Sequence, residues 1–228
     1  MIKAIFFDIG NTLFFYNYDF LRGLLEERYD IDVSTEELEA THIIISKSFG
    51  EMVQHGLSHK DSVDLTYKKW FRSLGIDEGK IDDIINTIHN HPFKHLFWSK
   101  IGDRTVEVLN WFKDHGYKLG VISNAEGQVK RLIEYAGIDA SFDTILDSQE
   151  VGFQKPDEKI FLKALDDIGV KPEEAVHVGD VFEADVLGAR SVGISPILVD
   201  RDNFHPNADC TRIKNIGELK DLAIFKDK

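Results

Sequence analysis

Ile2-Lys3-Ala4-Ile5-Phe6-Phe7-Asp8-Ile9-Gly10-Asn11-Thr12-Leu13 opens the chain with a short apolar run that ends on an aspartate and a glycine-containing turn. Its continuous apolarity, without polar alternation, predicts a strand buried on both faces. A carboxylate held where such a strand meets a turn is exposed, rigidly aimed, and suited to act as a nucleophile or a metal ligand.

Working outward, four further runs carry the same signature: Lys118 to Ile122, Thr144 to Leu146, Ala175 to Val178 and Ser195 to Val199. Helical patterns fall between the later runs, at Thr105 to His115, Gln128 to Ala136, Asp157 to Ile168 and Ala184 to Ser191. Each is long enough to cross over between parallel strands, which predicts an open α/β sheet. The first gap is different, because about 100 residues separate the first two strands where one crossover helix needs far fewer. Within it, apolar residues recur at helical spacing at Phe20, Leu24 and Leu25, at Ile43 to Ile45, at Val63, Leu65, Trp70 and Leu74, and at Ile81, Ile84, Ile85 and Ile88, with Gly50, Gly56, Gly75 and Gly79 as punctuation. The expected organisation is a Rossmann-like parallel sheet core from residues 1–15 and 92–228 with an α-helical cap inserted at residues 16–91.

With 228 residues, 43% of them hydrophobic, the chain can bury a sizeable core. Its formal net charge of -13 argues against a nucleic-acid partner and against anionic membranes, both of which select basic surfaces. A phosphate-bearing ligand must then meet locally positive groups: a divalent metal, a lysine or a helix N-terminus. The single cysteine, Cys210, cannot form an internal disulfide and no Cys cluster is present, which fits a reducing compartment. The N-terminal run lacks the basic flank and small-residue cleavage site of a signal peptide, so a cytoplasmic location is expected. No stretch approaches the roughly 20 apolar residues of a membrane span.

In an open parallel sheet, ligands gather outside the carboxyl ends of the strands near a topological switch point. Asp8 ends the first run, Ser123-Asn124 the second and Gly179-Asp180 the fourth, with Asp185 close behind. Lys155 lies in Gln154-Lys155-Pro156-Asp157, before a helix that Pro156 is placed to start as its first residue. Taken singly these residues have bland readings: Asp8 as a turn former, Ser123 as a helix cap, Lys155 as a solvated loop lysine, Asp180 and Asp185 as acids at a helix start. Their joint occurrence at strand ends favours one crevice lined by all of them.

With Asp8-Ile9-Gly10-Asn11-Thr12, Ser123-Asn124, Lys155-Pro156-Asp157 and Gly179-Asp180 with Asp185 in this order, the chain resembles the haloacid dehalogenase-like (HAD) hydrolase superfamily, in the branch with a helical C1-type cap after the first strand. The resemblance covers nearly the whole chain. It implies a phosphatase in which Asp8 is the catalytic nucleophile, phosphorylated to an aspartyl phosphate. Ser123, Asn124 and nearby backbone N–H groups would hold the phosphoryl oxygens, and Lys155 would neutralise charge on nucleophile and phosphate. Mg²⁺ would be ligated by Asp8, the Gly10 carbonyl, Asp180 and Asp185, the last as ligand or as outer partner, and the substrate would be a small phosphorylated metabolite. Such a division suits phosphoryl transfer, which depends on positioning and charge neutralisation.

Gly10 departs from the family's usual Asp-x-Asp pattern, in which the second Asp protonates the leaving group and then activates water. General acid-base help is worth roughly 10²- to 10⁴-fold. Its absence points to a phosphatase that favours good leaving groups, or one that recruits an acid elsewhere, with Glu126 and a cap residue as candidates. The superfamily suggests alternatives that lack the second Asp: dehalogenase-like chemistry, or phosphonoacetaldehyde hydrolase-like C–P cleavage through a cap lysine, with Lys47 ahead of Lys60, Lys68 and Lys69. A non-catalytic phosphate- or protein-binding descendant is a further class. The cluster His89, His91 and His95 reads as a solvated hinge more readily than as a metal site. The aromatic run Phe14, Phe15, Tyr16, Tyr18 and Phe20 reads as a flap leading into the cap, part of it walling the substrate pocket.

Overall fold

The computed structural model describes residues 1–226, which divide into two compact units, 1–15 with 100–226, and Tyr16–Ser99. The first is an α/β unit. Its strands in chain order are β1 (Ala4–Phe7), β2 (Phe14–Phe15), β3 (Lys100–Ile101), β4 (Lys118–Ser123), β5 (Thr144–Asp147), β6 (Ala175–Gly179), β7 (Ser195–Val199) and β8 (Thr211–Ile213). Six of them form one sheet in the order β5-β4-β1-β6-β7-β8, with every pairing parallel. The five strands expected from apolar runs all lie in it. The edge strand β8 and the antiparallel pair β2-β3 are additions, too short or too polar to carry a burial pattern.

β1 is the pivot of this arrangement. Ala4, Ile5, Phe6 and Phe7 are fully buried, and Phe7 pairs with Val121 on one side and Val178 on the other. The chain winds from β1 first to β4 and β5, then back across to β6, β7 and β8, so the order reverses at β1 and opens a crevice at its carboxyl end. Asp8 is the next residue.

The second unit is helical: α1 (Tyr18–Tyr29), α2 (Thr35–Ser46), α3 (Phe49–Gln54), α4 (His59–Ser73) and α5 (Glu78–Asn90). Asn17, Ser34, Ser58 and Asp77 cap the starts of α1, α2, α4 and α5 by accepting from backbone N–H groups. Leu21, Leu25, Leu38, Trp70, Phe71, Ile81, Ile84 and Ile85 form its core. Of the four punctuating glycines, Gly56 and Gly75 adopt left-handed φ values of 79° and 72° after helix ends, whereas Gly50 and Gly79 lie inside α3 and α5. The unit extends to Ser99, past His91 where the helical pattern stops, because Phe97 is buried against Tyr16 and Phe20.

Back in the α/β unit the helices continue as α6 (Thr105–Asp114), α7 (Val129–Tyr135), α8 (Ser148–Val151), α9 (Glu158–Ile168) and α10 (Gly188–Ser191). Pro156 does not start α9 as its spacing suggested: Asp157 is the N-cap, its carboxylate accepting from Lys159 N–H, and Pro156 lies outside. The helix expected from Ala184 is replaced at first by one wide turn of π-helix, Phe182–Leu187, which runs into α10. No helix among the described residues is long and apolar enough to cross a membrane.

Candidate active site

Asp8 N–H continues the sheet by donating to Val178 O at 2.8 Å, which fixes the residue at the strand end with only 7% of its surface exposed. The chain then folds tightly, with Ile9 O accepting from Leu13 and Phe14 N–H at 3.0 and 2.9 Å, and Asn11 taking a left-handed φ of 52°. This turn aims the Asn11 amide at the end of β6, where it donates to Asp180 Oδ2 at 3.2 Å.

Beyond β6 the π-turn carries Asp185 back onto the strand. Its Oδ2 accepts from Val181 N–H at 2.9 Å, while Oδ1 accepts from Lys155 Nζ at 2.6 Å and pairs with His177 Nε2 at 2.8 Å. Gly179 makes the approach possible, since a Cβ there would lie 2.2 Å from Asp185 Cγ. Lys155, 2% exposed, also donates to Asp8 Oδ1 at 2.6 Å and so joins the ends of β1 and β6.

Lys155 is itself held by Asn124, whose Oδ1 accepts from Lys155 N–H at 2.7 Å and whose Nδ2 donates to Lys155 O at 2.9 Å. Both polar atoms of the Asn124 side chain are therefore engaged with the Lys155 backbone and orient the lysine. Ser123 ends β4, buried, beside Asp147 of β5, whose carboxylate caps the next turns through Gly127, Val129 and Gln149 N–H groups. Glu126 lies half-buried in the loop between β4 and α7.

Two carboxylates, Asp8 and Asp185, therefore share one ammonium, with a third, Asp180, close by. Oxygens of Asp8, Asp180 and Asp185 lie within 4.8 Å of one another. Burial pushes Asp8 up to about 6, with Lys155 opposing and Asp185 assisting. Burial also raises Asp180 well above the usual carboxylate range, reinforced by the charges of Asp8 and Asp185. Asp185 goes the other way: burial is the largest influence and would raise it, but Lys155 and His177 together hold it below its ordinary value. Lys155, despite burial, is held above its ordinary value by Asp185 and Asp8. A buried cluster with this excess of negative charge and only oxygen donors fits a hard divalent cation.

The structure brings Asp8, Lys155, Asp180 and Asp185 together, with Gly10 two residues past Asp8 in the same turn. His177 and Asn11 escaped the sequence reading, although a histidine inside the otherwise apolar run of β6 was a signal. The three clustered histidines do not form a solvated hinge: His89 sits in α5 and pairs with Asp64 at 2.6 Å, while His95 is buried. The aromatic run divides, Phe14 and Phe15 forming β2 and Tyr16 joining the helical core. Lys47, Lys60 and Lys69 are exposed, and the half-buried Lys68 pairs with Asp82 at 2.9 Å, so none has the desolvation that a Schiff-base lysine needs.

Residues 2–193 match the haloacid dehalogenase-like hydrolase family. The chain is 33% identical over 235 residues to glyceraldehyde 3-phosphate phosphatase of Methanothermobacter thermautotrophicus, covering 97% of this chain and 100% of that protein. It is 30% identical over 214 residues to the glyceraldehyde 3-phosphate phosphatase of Methanopyrus kandleri, covering 90% and 86%. The fold is similar to that of the magnesium-bound putative HAD-hydrolase YfnB from Bacillus subtilis, with a TM-score of 0.76 over 99% of both chains at 17% identity. The α/β sheet, the ordered strand-end motifs and the match along most of the sequence agree, and the chain is a hydrolase belonging to the haloacid dehalogenase-like family.

Proposed function

We propose that this enzyme hydrolyses small phosphate monoesters through an aspartyl phosphate on Asp8. The observation that carries this is Lys155, buried and bonded at once to Asp8 and Asp185, with Asp180 beside them. Lys155 occupies Asp8 Oδ1, which leaves Oδ2 as the attacking atom. In the first step Asp8 Oδ2 bonds to phosphorus and the ester P–O bond breaks with its electron pair on the leaving oxygen, which departs as the alkoxide or phenolate and takes its proton from solvent. In the second, water attacks phosphorus and gives up a proton to solvent, the bond from Asp8 Oδ2 to phosphorus breaks to regenerate the carboxylate, and inorganic phosphate leaves. Throughout, Lys155 offsets charge on Asp8 and on the phosphoryl oxygens, with Ser123 and the backbone N–H groups after β4 as the phosphoryl cradle.

Asp8, Asp180 and the Gly10 carbonyl would hold Mg²⁺, which when bound lowers the pKa of Asp8 and neutralises phosphoryl charge. Asp185, with both oxygens engaged by Lys155, His177 and Val181, fits the orientation of the lysine better than direct ligation.

Gly10 brings no side chain to protonate the departing alcohol or to activate water. Turnover should then depend steeply on leaving-group pKa across a series of aryl phosphates; a flat dependence would show a full-strength general acid and refute this part of the proposal. Relatives named for glyceraldehyde 3-phosphate make that compound the natural substrate to test first. Its leaving group is an alkoxide. Turnover of it as fast as of p-nitrophenyl phosphate would mean that an acid is recruited from another residue, Glu126 being one to substitute.

A further inference from the structure

His177 is fully buried in β6, in register with Phe6 of β1 and Pro196 of β7, and no step above uses it. One of its nitrogens has a partner and the other has none: Nε2 meets Asp185 Oδ1 at 2.8 Å, whereas the buried Nδ1 has no hydrogen-bond partner among the described residues. A proton on Nδ1 would be a buried donor left unsatisfied, so geometry selects the neutral tautomer with hydrogen on Nε2. The ring plane is fixed as well, by the Phe161 ring standing at 90° to it with centroids 5.2 Å apart. Phe161 belongs to α9, the helix that follows Lys155 in the chain.

We propose that His177 is a positioning residue for the nucleophile, acting through Asp185 and Lys155. The inference rests on the phosphatase reading and extends it to a residue outside the strand-end motifs. Asp185 Oδ1 receives two donors, His177 Nε2–H and Lys155 Nζ, and Oδ2 receives Val181 N–H. With the carboxylate pinned at both oxygens, the ammonium has a fixed seat 2.6 Å from Asp185 and 2.6 Å from Asp8. A neutral donor suits this seat. It satisfies part of Asp185 without adding a second cation that would compete with Lys155, and it keeps Asp185 from drawing the lysine away from Asp8. Without the donor, Asp185 is free to rotate and to take the ammonium for itself, so Asp8 and the phosphoryl group lose part of their counter-charge at the step where negative charge is transferred.

The test compares two variants of similar length, His177→Gln, which keeps an N–H near the place of Nε2, and His177→Met, which does not. Both are assayed on p-nitrophenyl phosphate with Mg²⁺ beside the wild type, and melting temperatures are recorded. His177→Met should lower kcat about 10- to 100-fold with KM near the wild-type value, the usual range for losing an outer partner of a catalytic group. His177→Gln should recover most of that kcat. Equal kcat in the two folded variants, or wild-type kcat in His177→Met, would overturn the proposal. Should the methionine variant not fold, His177→Asn, whose shorter amide does not reach Asp185, replaces it with the same expectation. A wild type that fails to turn over the ester would instead count against the phosphatase reading, which separates the two failures.

Discussion

At the carboxyl ends of β1 and β6, Asp8, Asp180 and Asp185 are drawn together around a single ammonium; within the helical unit Tyr16, Tyr18, His42, Tyr67 and Trp70 are drawn together around no charge at all. The helical cluster pairs its polar atoms among themselves. Tyr16 and Tyr67 share a hydrogen bond of 3.2 Å, Tyr18 meets His42 Nδ1 at 2.9 Å, and Trp70 Nε1–H donates to Thr41 at 2.9 Å. His42 stacks on Trp70 with ring centroids 4.2 Å apart. Burial moves its titratable groups towards neutrality, His42 down to about 4 and Tyr16 well above its ordinary value. Satisfied neutral polar groups of this kind stabilise and specify a fold. The carboxylate cluster keeps a surplus of charge that its own residues do not neutralise, and such a surplus is what a cation or an incoming reaction can use. Burial of polar groups is common to both; uncompensated charge distinguishes the site from the scaffold.

The contrast can be broken most forcefully at Lys155. Lys155→Met should reduce turnover of p-nitrophenyl phosphate by about 10²- to 10³-fold, the usual cost of removing one preorganised charge-stabilising donor. In EDTA the same change should cost about 3–5 kcal/mol of stability, since it leaves buried carboxylates without their partner. Near-normal turnover would mean that the ammonium is structural. Trp70→Ala is the counterpart in the helical unit. It should cost about 3–5 kcal/mol in urea unfolding, as for other buried tryptophans, and an unchanged midpoint would show that the aromatic cluster is not a core.

The two regions should also titrate with opposite signs. His42 has a folded value of about 4 against an ordinary 6.5, so its contribution is present above 6.5 and is lost as the pH falls towards 4. At pH 5 the wild type should have lost roughly 2 kcal/mol relative to His42→Gln, compared with pH 7.5. Asp8 and Asp180 have folded values above the ordinary 3.8, so their contribution is complete below that value and is lost as the pH rises through the folded values. In EDTA, Asp180→Asn should therefore be more stable than the wild type at pH 7.5, and the gap should narrow as the pH falls and close only towards 3.8. A gap that widens on acidification would mean that Asp180 is favoured as an anion in the folded protein. Asp185 titrates below this window, because its folded value is depressed.

What could be read from the sequence follows from the same distinction. The central strands were legible because β1, β4 and β6 are buried on both faces and spell this out as mostly apolar runs ending on Asp8, Ser123 and Gly179. The long gap after β1 signalled an inserted helical segment through the spacing of its apolar residues. Features fixed by contacts distant in sequence were not legible. Asn124 grips the backbone of Lys155 from 31 residues away, and Asp64 meets His89 from 25 residues away. The π-turn at Phe182–Leu187 exists to fold Asp185 onto Gly179, and no helical periodicity announces it. Phe97 joins the helical core across the chain from Tyr16, so the end of that unit could not be placed by local pattern.

The central claim is that Asp8 becomes covalently phosphorylated by a small phosphate ester, with a divalent cation held by the cluster around it. The most direct measurement is turnover of p-nitrophenyl phosphate by the wild type and by Asp8→Asn, each with Mg²⁺ and with EDTA, followed by acid quenching and mass analysis of the peptide that contains Asp8. The account predicts turnover only for the wild type with Mg²⁺, and a phosphoryl group on Asp8 in that sample alone. Turnover that survives in Asp8→Asn, or steady turnover with no phosphoryl group captured on Asp8, would contradict it.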